Sequence, residues 1–265
     1  MINSAQNPRL KLARSLMGRP KERQAARSFV AEGVRLVEEA LSSGWPVRYV
    51  LYTAGLRARG RELVQQLDAK GVEVEQVADA LLNGISETEN SQGLLAVLEY
   101  SALPVPPWPD FVLIPDSIRD PGNLGSLLRT AAAAGVQAVW LPPETSDAFA
   151  PKVLRAGMGA HFRLPIQTLT WEQIREATRA LRVYLADMQG NPCWQTDFRQ
   201  PLALIVGGEA AGATQAARQL AAMSVCIPMP GKAESLNAGV AGGVLMFEVV
   251  RQRRRLSTHP SPSPA

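Results

Sequence analysis

Three short segments in the second half of the chain hold most of the residues whose types and spacing suit chemistry. The first is Asp120-Pro121-Gly122-Asn123-Leu124-Gly125-Ser126-Leu127-Leu128-Arg129-Thr130. Arg129 lies off the apolar stripe of Leu124, Leu127, Leu128 and Ala131, one turn beyond Gly125. A guanidinium there can grip a phosphate with a bidentate fork, although taken alone it is also what an ordinary surface arginine looks like. The second segment, Val206-Gly207-Gly208-Glu209-Ala210-Ala211-Gly212, combines one carboxylate with glycines that let backbone approach a ligand closely. Glu209 also suits the start of a helix, where it would serve only the macrodipole. The third, Ile227-Pro228-Met229-Pro230-Gly231-Lys232-Ala233-Glu234-Ser235-Leu236-Asn237, adds a hydroxyl and an amide. Each segment joins glycine, a turn residue and one or two polar groups where a strand hands over to a helix, which is where open α/β sheets bind ligands. Neither G-x-G-x-x-G nor G-x-x-x-x-G-K-[ST] is present, so the dinucleotide and P-loop readings fail.

The elements that must position these groups follow from periodicity. Short apolar runs at residues 111–115, 136–141, 182–187, 202–206 and 224–227 read as strands. Helical patterns at 123–134, 171–181 and 213–222 lie between them, which argues for a mostly parallel sheet covered by helices. Asn123 is placed to cap the first of these helices, which stops at Gly135. Ser235 is placed to cap a last helix with Leu236, Val240, Val244 and Phe247 at helical spacing. That helix also carries Gly239, Gly242 and Gly243, each costing about 1 kcal/mol against alanine. Close packing against another backbone, within the fold or across a dimer, would offset the cost. Residues 101–110, rich in proline, read as a semi-rigid linker. The preceding hundred residues read as a small α/β unit suited to substrate binding. Val30, Val34, Val37 and Leu41 suggest a helix ending at Gly44, followed by strands at 47–52, 72–77 and 94–100 and a helix at 57–69. Residues 257–265, Ser/Pro-rich, read as a disordered tail.

Composition narrows the class. A chain of 265 residues holds one large or two modest domains. No apolar stretch reaches the ~18 residues of a membrane span. The polar start, Met1 to Gln6, is no signal peptide, so a cytoplasmic protein without a membrane partner is expected. Two cysteines and two histidines, without a cluster, support neither a disulfide framework nor a metal site. The net charge of +4 is modest, but its distribution is not even. Arg9, Lys11, Arg14, Arg19, Lys21, Arg23 and Arg27 face only Glu22 in the first 28 residues, and Arg251, Arg253, Arg254 and Arg255 cluster near the end. Two such clusters point to a phosphate backbone as partner.

With the three segments in this order, residues 110–255 resemble the SpoU (TrmH) family of RNA 2′-O-ribose methyltransferases of the SPOUT superfamily. The first hundred residues are similar to the substrate-binding domain of its rRNA-modifying members, through Phe29-Val30-Ala31-Glu32-Gly33 and Gln92-Gly93-Leu94-Leu95-Ala96-Val97. The resemblance implies an α/β protein with an RNA substrate-binding domain over 1–100, the linker at 101–110, and a methyltransferase domain over 111–256. That second domain would be an α/β-knot, a mostly parallel sheet flanked by helices with a deep trefoil knot. The implied cofactor is S-adenosyl-L-methionine, held around Gly207, Ile227 and Leu236 with Gly208, Pro228 and Met229 nearby. Asn123, Arg129, Glu209, Ser235 and Asn237 match the polar active-site positions. Two departures touch pocket detail: Gly208 stands where Asn or Ala is frequent, and Ala238-Gly239 where Val-Ser is frequent. The implied partners are RNA and a second copy of the chain, with no DNA. The full leading domain favours large-subunit rRNA over tRNA. The alternatives are a tRNA 2′-O-ribose methyltransferase and a non-catalytic RNA-binding or ribosome-assembly factor. Family proposals give the arginine the role of base. A guanidinium is effectively always protonated, so Arg129 is better suited to position a phosphate and stabilise a developing alkoxide. Glu209 is then a candidate to orient Arg129 or the substrate.

Overall fold

Near-continuous apolar runs such as Phe111-Val112-Leu113-Ile114 and Leu202-Ala203-Leu204-Ile205-Val206 suit strands covered on both faces, and they form the centre of a parallel sheet. The computed structural model describes residues 1–88, 91–209, 212–231 and 235–254. Arg255 and the tail expected over 257–265 lie outside the described residues. The chain divides into two compact units: Met1–Ala102 with Asp147–Arg163, and Leu103–Ser146 with the chain from Leu164 onward.

In the first unit, α1 (Pro8–Gly18) starts from Asn7, whose side chain accepts from the Arg9 N–H at 2.9 Å, with proline in the first turn. It leads through α2 (Pro20–Ala26) into β1 (Ser28–Glu32). Then follow α3 (Val34–Ser42), β2 (Val47–Tyr52), α4 (Ala58–Ala69), β3 (Glu73–Gln76), α5 (Asp79–Asn83) and β4 (Leu94–Glu99). The sheet order is β1-β4-β2-β3, with β2 and β3 parallel and the other pairs antiparallel. Val30, expected on a helix, instead lies in β1, all five of whose residues are buried; the helical spacing begins only at Val34.

In the second unit, β5 (Phe111–Asp116) is followed by α6 (Pro121–Ala134) and β6 (Ala138–Leu141). The chain then enters the first unit, where α7 (Pro151–Gly157) and a 3-10 turn at Ala160–Phe162 lie. Sequence alone places Asp147–Arg163 wholly within the second domain. In the fold this stretch packs with the first unit: Phe149 meets Phe29 and Tyr100 at centroid distances of 4.8 and 4.7 Å, and Phe162 meets Trp45 at 5.3 Å. The second unit resumes with β7 (Ile166–Thr168), α8 (Trp171–Ala177), β8 (Arg182–Pro192), β9 (Leu202–Gly207), α9 (Gln215–Leu220), β10 (Met223–Cys226) and α10 (Ala238–Arg254). Its sheet runs β10-β8-β9-β5-β6-β7, and every pair is parallel. The order reverses direction at β5, which has β6 on one side and β9 on the other.

The glycines of α10 are explained inside the fold. A Cβ on Gly242 would run into the Leu127 side chain of α6 and stand 3.4 Å from Val206, and one on Gly239 would lie 3.2 Å from Ser126. Bare backbone lets α10 settle onto α6. The buried residues of α10 are therefore Ala238, Gly239, Gly242, Leu245, Met246, Glu248 and Val249. Leu236 (38%), Val240 (53%) and Phe247 (49%), which the sequence pattern assigns to the apolar stripe, are exposed.

Candidate active site at the carboxyl end of the parallel sheet

At the reversal point, Asp116 of β5 pairs in register with Gly207 of β9. Such a crevice, outside the carboxyl ends of strands that lead away in opposite directions, is where α/β sheets take ligands. The backbone beyond it is pressed close. A Cβ on Gly207 would stand 2.7 Å from the Ala213 nitrogen, and one on Gly208 would run into the Ser117 carbonyl oxygen. Gly208 bridges back to Gly212, whose φ of +65° suits glycine.

Asp116 holds this turn. Fully buried, it accepts from the Thr214 N–H at 2.6 Å and the Thr214 hydroxyl at 3.2 Å. Burial pushes its pKa above the usual carboxylate value, while the hydrogen bonds from Thr214 and Ser117 pull it back down. Thr214 in turn caps α9 through the Ala217 N–H. A carboxylate closing an apolar strand is the available sequence signal for Asp116, but its partner lies 98 residues away.

Three of the expected polar residues meet here. The Asn123 Nδ2 donates to the Glu209 carboxylate, and the Asn123 Oδ1 accepts from the Asn237 Nδ2 at 2.8 Å. One residue from each motif thus joins a single hydrogen-bonded chain. Two capping assignments change. Asp120, not Asn123, caps α6, accepting the Asn123 N–H at 2.8 Å, which leaves the Asn123 amide free for the site. Asn237, not Ser235, caps α10, its Oδ1 accepting the N–H groups of Gly239 and Val240 at 3.0 and 3.3 Å. Arg129 and Ser235 are exposed, and among the described residues neither is bonded to the Asn123–Glu209–Asn237 chain. The Arg129 guanidinium has no protein partner there, so it is available to a phosphate.

The residues expected around a cofactor follow the strand ends. Gly207 closes β9, half-buried Ile227 follows β10 directly, Pro228 and Met229 come next, and Leu236 precedes α10. Ala210, Ala211 and Lys232–Glu234 lie outside the described residues. Among the described residues, no group of three or more His, Cys, Asp or Glu side chains could hold a metal ion.

Residues 110–247 match the model of the SpoU rRNA Methylase family, more than half of the chain. The chain belongs to the SpoU family. Residues 7–96 match an MRM3-like substrate binding domain. This SpoU chain is 34% identical over 251 residues to the 23S rRNA (guanosine(2553)-2′-O)-methyltransferase RlmP of Bacillus subtilis, covering 94% of this chain and 98% of the relative. It is 32% identical over 268 residues to a 23S rRNA (uridine(2479)-2′-O)-methyltransferase of Streptomyces viridochromogenes, covering 94% and 92%. The crystal structure of the SpoU methyltransferase AviRb from the latter organism, in complex with AdoMet, superposes with a TM-score of 0.82 at 32% identity, over 94% of this chain and 99% of that one.

Proposed function

We propose that this SpoU chain is an S-adenosylmethionine-dependent methyltransferase acting on a ribose 2′-hydroxyl of large-subunit rRNA. The observation that carries the reading is the Asn123–Glu209–Asn237 hydrogen-bonded chain, which joins one residue from each of the three glycine-bearing segments. The two relatives with rRNA activities match along nearly their whole lengths, the leading substrate-binding unit included.

S-adenosylmethionine, when bound, supplies a methyl group on a sulfonium that leaves without a metal. The strand ends suit its adenosine. Gly207 and Gly208 let the turn after β9 fold tightly against Ala213 and Ser117 at the strand end, and half-buried Ile227 and Met229 offer apolar sides to a base. Pro228 and Leu236 complete this proposed pocket. Arg129 grips the target phosphate and stabilises the developing alkoxide, while Asn123, Glu209, Asn237 and Ser235 orient the nucleotide and the loops. The enzyme works in the cytoplasm as a knotted homodimer, paired through the exposed face of α10 that carries Val240 and Phe247.

The test is transfer of labelled methyl from S-adenosylmethionine to purified rRNA and tRNA, beside Arg129→Ala, with digestion to nucleosides. Label is expected in a 2′-O-methyl nucleoside from rRNA, with Arg129→Ala slower by about 100-fold or more. Label chiefly in tRNA would overturn the substrate assignment. Cofactor binding that fails altogether would leave only the non-catalytic alternative.

A further inference from the structure

A cavity of about 300 Å³ lies in the first unit, well apart in sequence from the three motifs. Leu36 and Met158 contribute apolar lining, Glu32, Arg35, Gln92 and Arg155 contribute polar groups, and the remaining carboxylate, Glu39, is paired with Arg163. The polar groups are organised. Glu32, buried, accepts from the hydroxyls of Ser86 and Thr88 and from the Arg155 Nη1 at 3.2 Å. The Arg155 Nη2 reaches Glu87 at 3.1 Å. Two carboxylates thus hold one guanidinium plane in a fixed orientation beside the cavity.

Other groups are left with capacity to bind. The Gln92 Oε1 accepts the Val34 N–H at 2.8 Å, at the start of α3 where Gly33 has no side chain to cap it. That bond orients the Gln92 amide and leaves its Nε2 protons without a protein partner among the described residues. Arg35 is exposed, and its guanidinium likewise has no partner there. The cavity therefore offers a fixed guanidinium plane whose charge Glu32 and Glu87 offset, an amide donor and the Arg35 guanidinium with no partner among the described residues, and apolar lining.

The geometry points to this cavity as a second RNA site, which takes one unstacked base of the rRNA substrate together with its phosphate. A flat base stacks on the Arg155 plane beside Leu36 and Met158, an acceptor on its edge meets the Gln92 amide, and the phosphate meets Arg35. A neutral small molecule would leave Arg35 unused. Arg155 and Met158 lie within the stretch matched by the SpoU model, yet they fold into the first unit. The site therefore needs residues from both matched regions. The inference rests on the proposed rRNA substrate.

Two readouts test it on the full-length protein. In methyl-transfer kinetics, Arg35→Ala raises the KM for rRNA about tenfold, as expected on removing one charge-assisted bond, without changing kcat or the Kd for S-adenosylmethionine. Arg35→Lys recovers most of the affinity, because a point charge still meets the phosphate. Photo-crosslinking with thionucleoside-substituted rRNA, mapped by mass spectrometry, places a base on the peptides carrying Leu36 or Met158. An unchanged KM in Arg35→Ala, or cross-links that avoid both peptides while wild type methylates rRNA, overturns the inference and leaves the proposed function standing. Cross-links at these peptides in a protein that methylates no rRNA would retain the RNA site and overturn the proposed function. A KM effect without any base cross-link there reduces Arg35 to a phosphate ligand and overturns the base pocket.

Discussion

Asn123 carries two bonds on one amide: its nitrogen donates to Glu209 and its oxygen accepts from Asn237 at 2.8 Å. Both bonds lie at the surface of the crevice, so losing them alters geometry more than stability. Asn123→Ala is expected to lower kcat/KM by about 10- to 100-fold, roughly 1.4–2.7 kcal/mol of transition-state stabilisation, with an almost unchanged melting temperature. Single-turnover methyl transfer checks this, and wild-type rates in the variant would sink the role of the chain. At this scale the candidate site is largely legible in the sequence, because glycine and turn residues mark Asn123, Glu209 and Asn237 as groups at strand–helix junctions. Asp116 is not legible. It ends an apolar strand like any terminator, and only the fold brings Thr214 to it.

Elements show how local patterns mislead when tertiary packing chooses the partner. Leu236, Val240, Val244 and Phe247 have the spacing of a buried stripe, yet the smaller Gly239 and Gly242 face α6 because they allow close approach. The 3-10 turn at Ala160–Phe162 carries another such choice. His161 is buried with its Nε2 against the Ala148 carbonyl at 2.8 Å, and its Nδ1 has no partner among the described residues. Burial depresses its pKa to about 4, more than the Ala148 carbonyl and Asp147 raise it. An unfolded histidine titrates near about 6.5, so the unfolded state binds more protons between the two values. Stability is full above the unfolded value and is lost as pH falls toward the folded one, by about 3 kcal/mol in all. His161→Gln keeps a donor for Ala148 and removes the titration. Urea unfolding midpoints measured at pH 7 and pH 4.5 should differ less in this variant than in wild type; an equal difference would show that other groups dominate the acid response.

Across the whole molecule, charge and exposed apolar surface separate roles that composition runs together. Arg9 pairs with Glu73 and Glu75, and Arg23 is buried against Asp147 at 2.7 Å, so two of the seven early cations serve the fold. Arg251 pairs with Glu248, and Arg253 with Asp110, so the late cluster is partly neutralised as well. Lys11, Arg14, Arg19, Lys21 and Arg27 remain exposed, without a protein partner among the described residues. Replacing Lys11 and Arg14 with alanine should weaken rRNA binding and reduce the slope of log K against log salt by about 0.7–0.9 for each phosphate no longer neutralised. An unchanged slope would remove α1 from the interface. Val240→Glu with Phe247→Glu should convert the proposed homodimer to monomer in light scattering; a variant that remains dimeric places the dimer interface elsewhere. Residue types at short spacing are enough to read the family, the alternation of strands and helices, and Asn123, Glu209 and Asn237 as polar groups at strand–helix junctions. Tertiary structure alone decided which helix face is buried, which arginines are neutralised, that Asp147–Arg163 packs with the first unit, and that Asp116 pins the glycine turn. Each of these depends on partners distant along the chain, which only the folded backbone brings within reach.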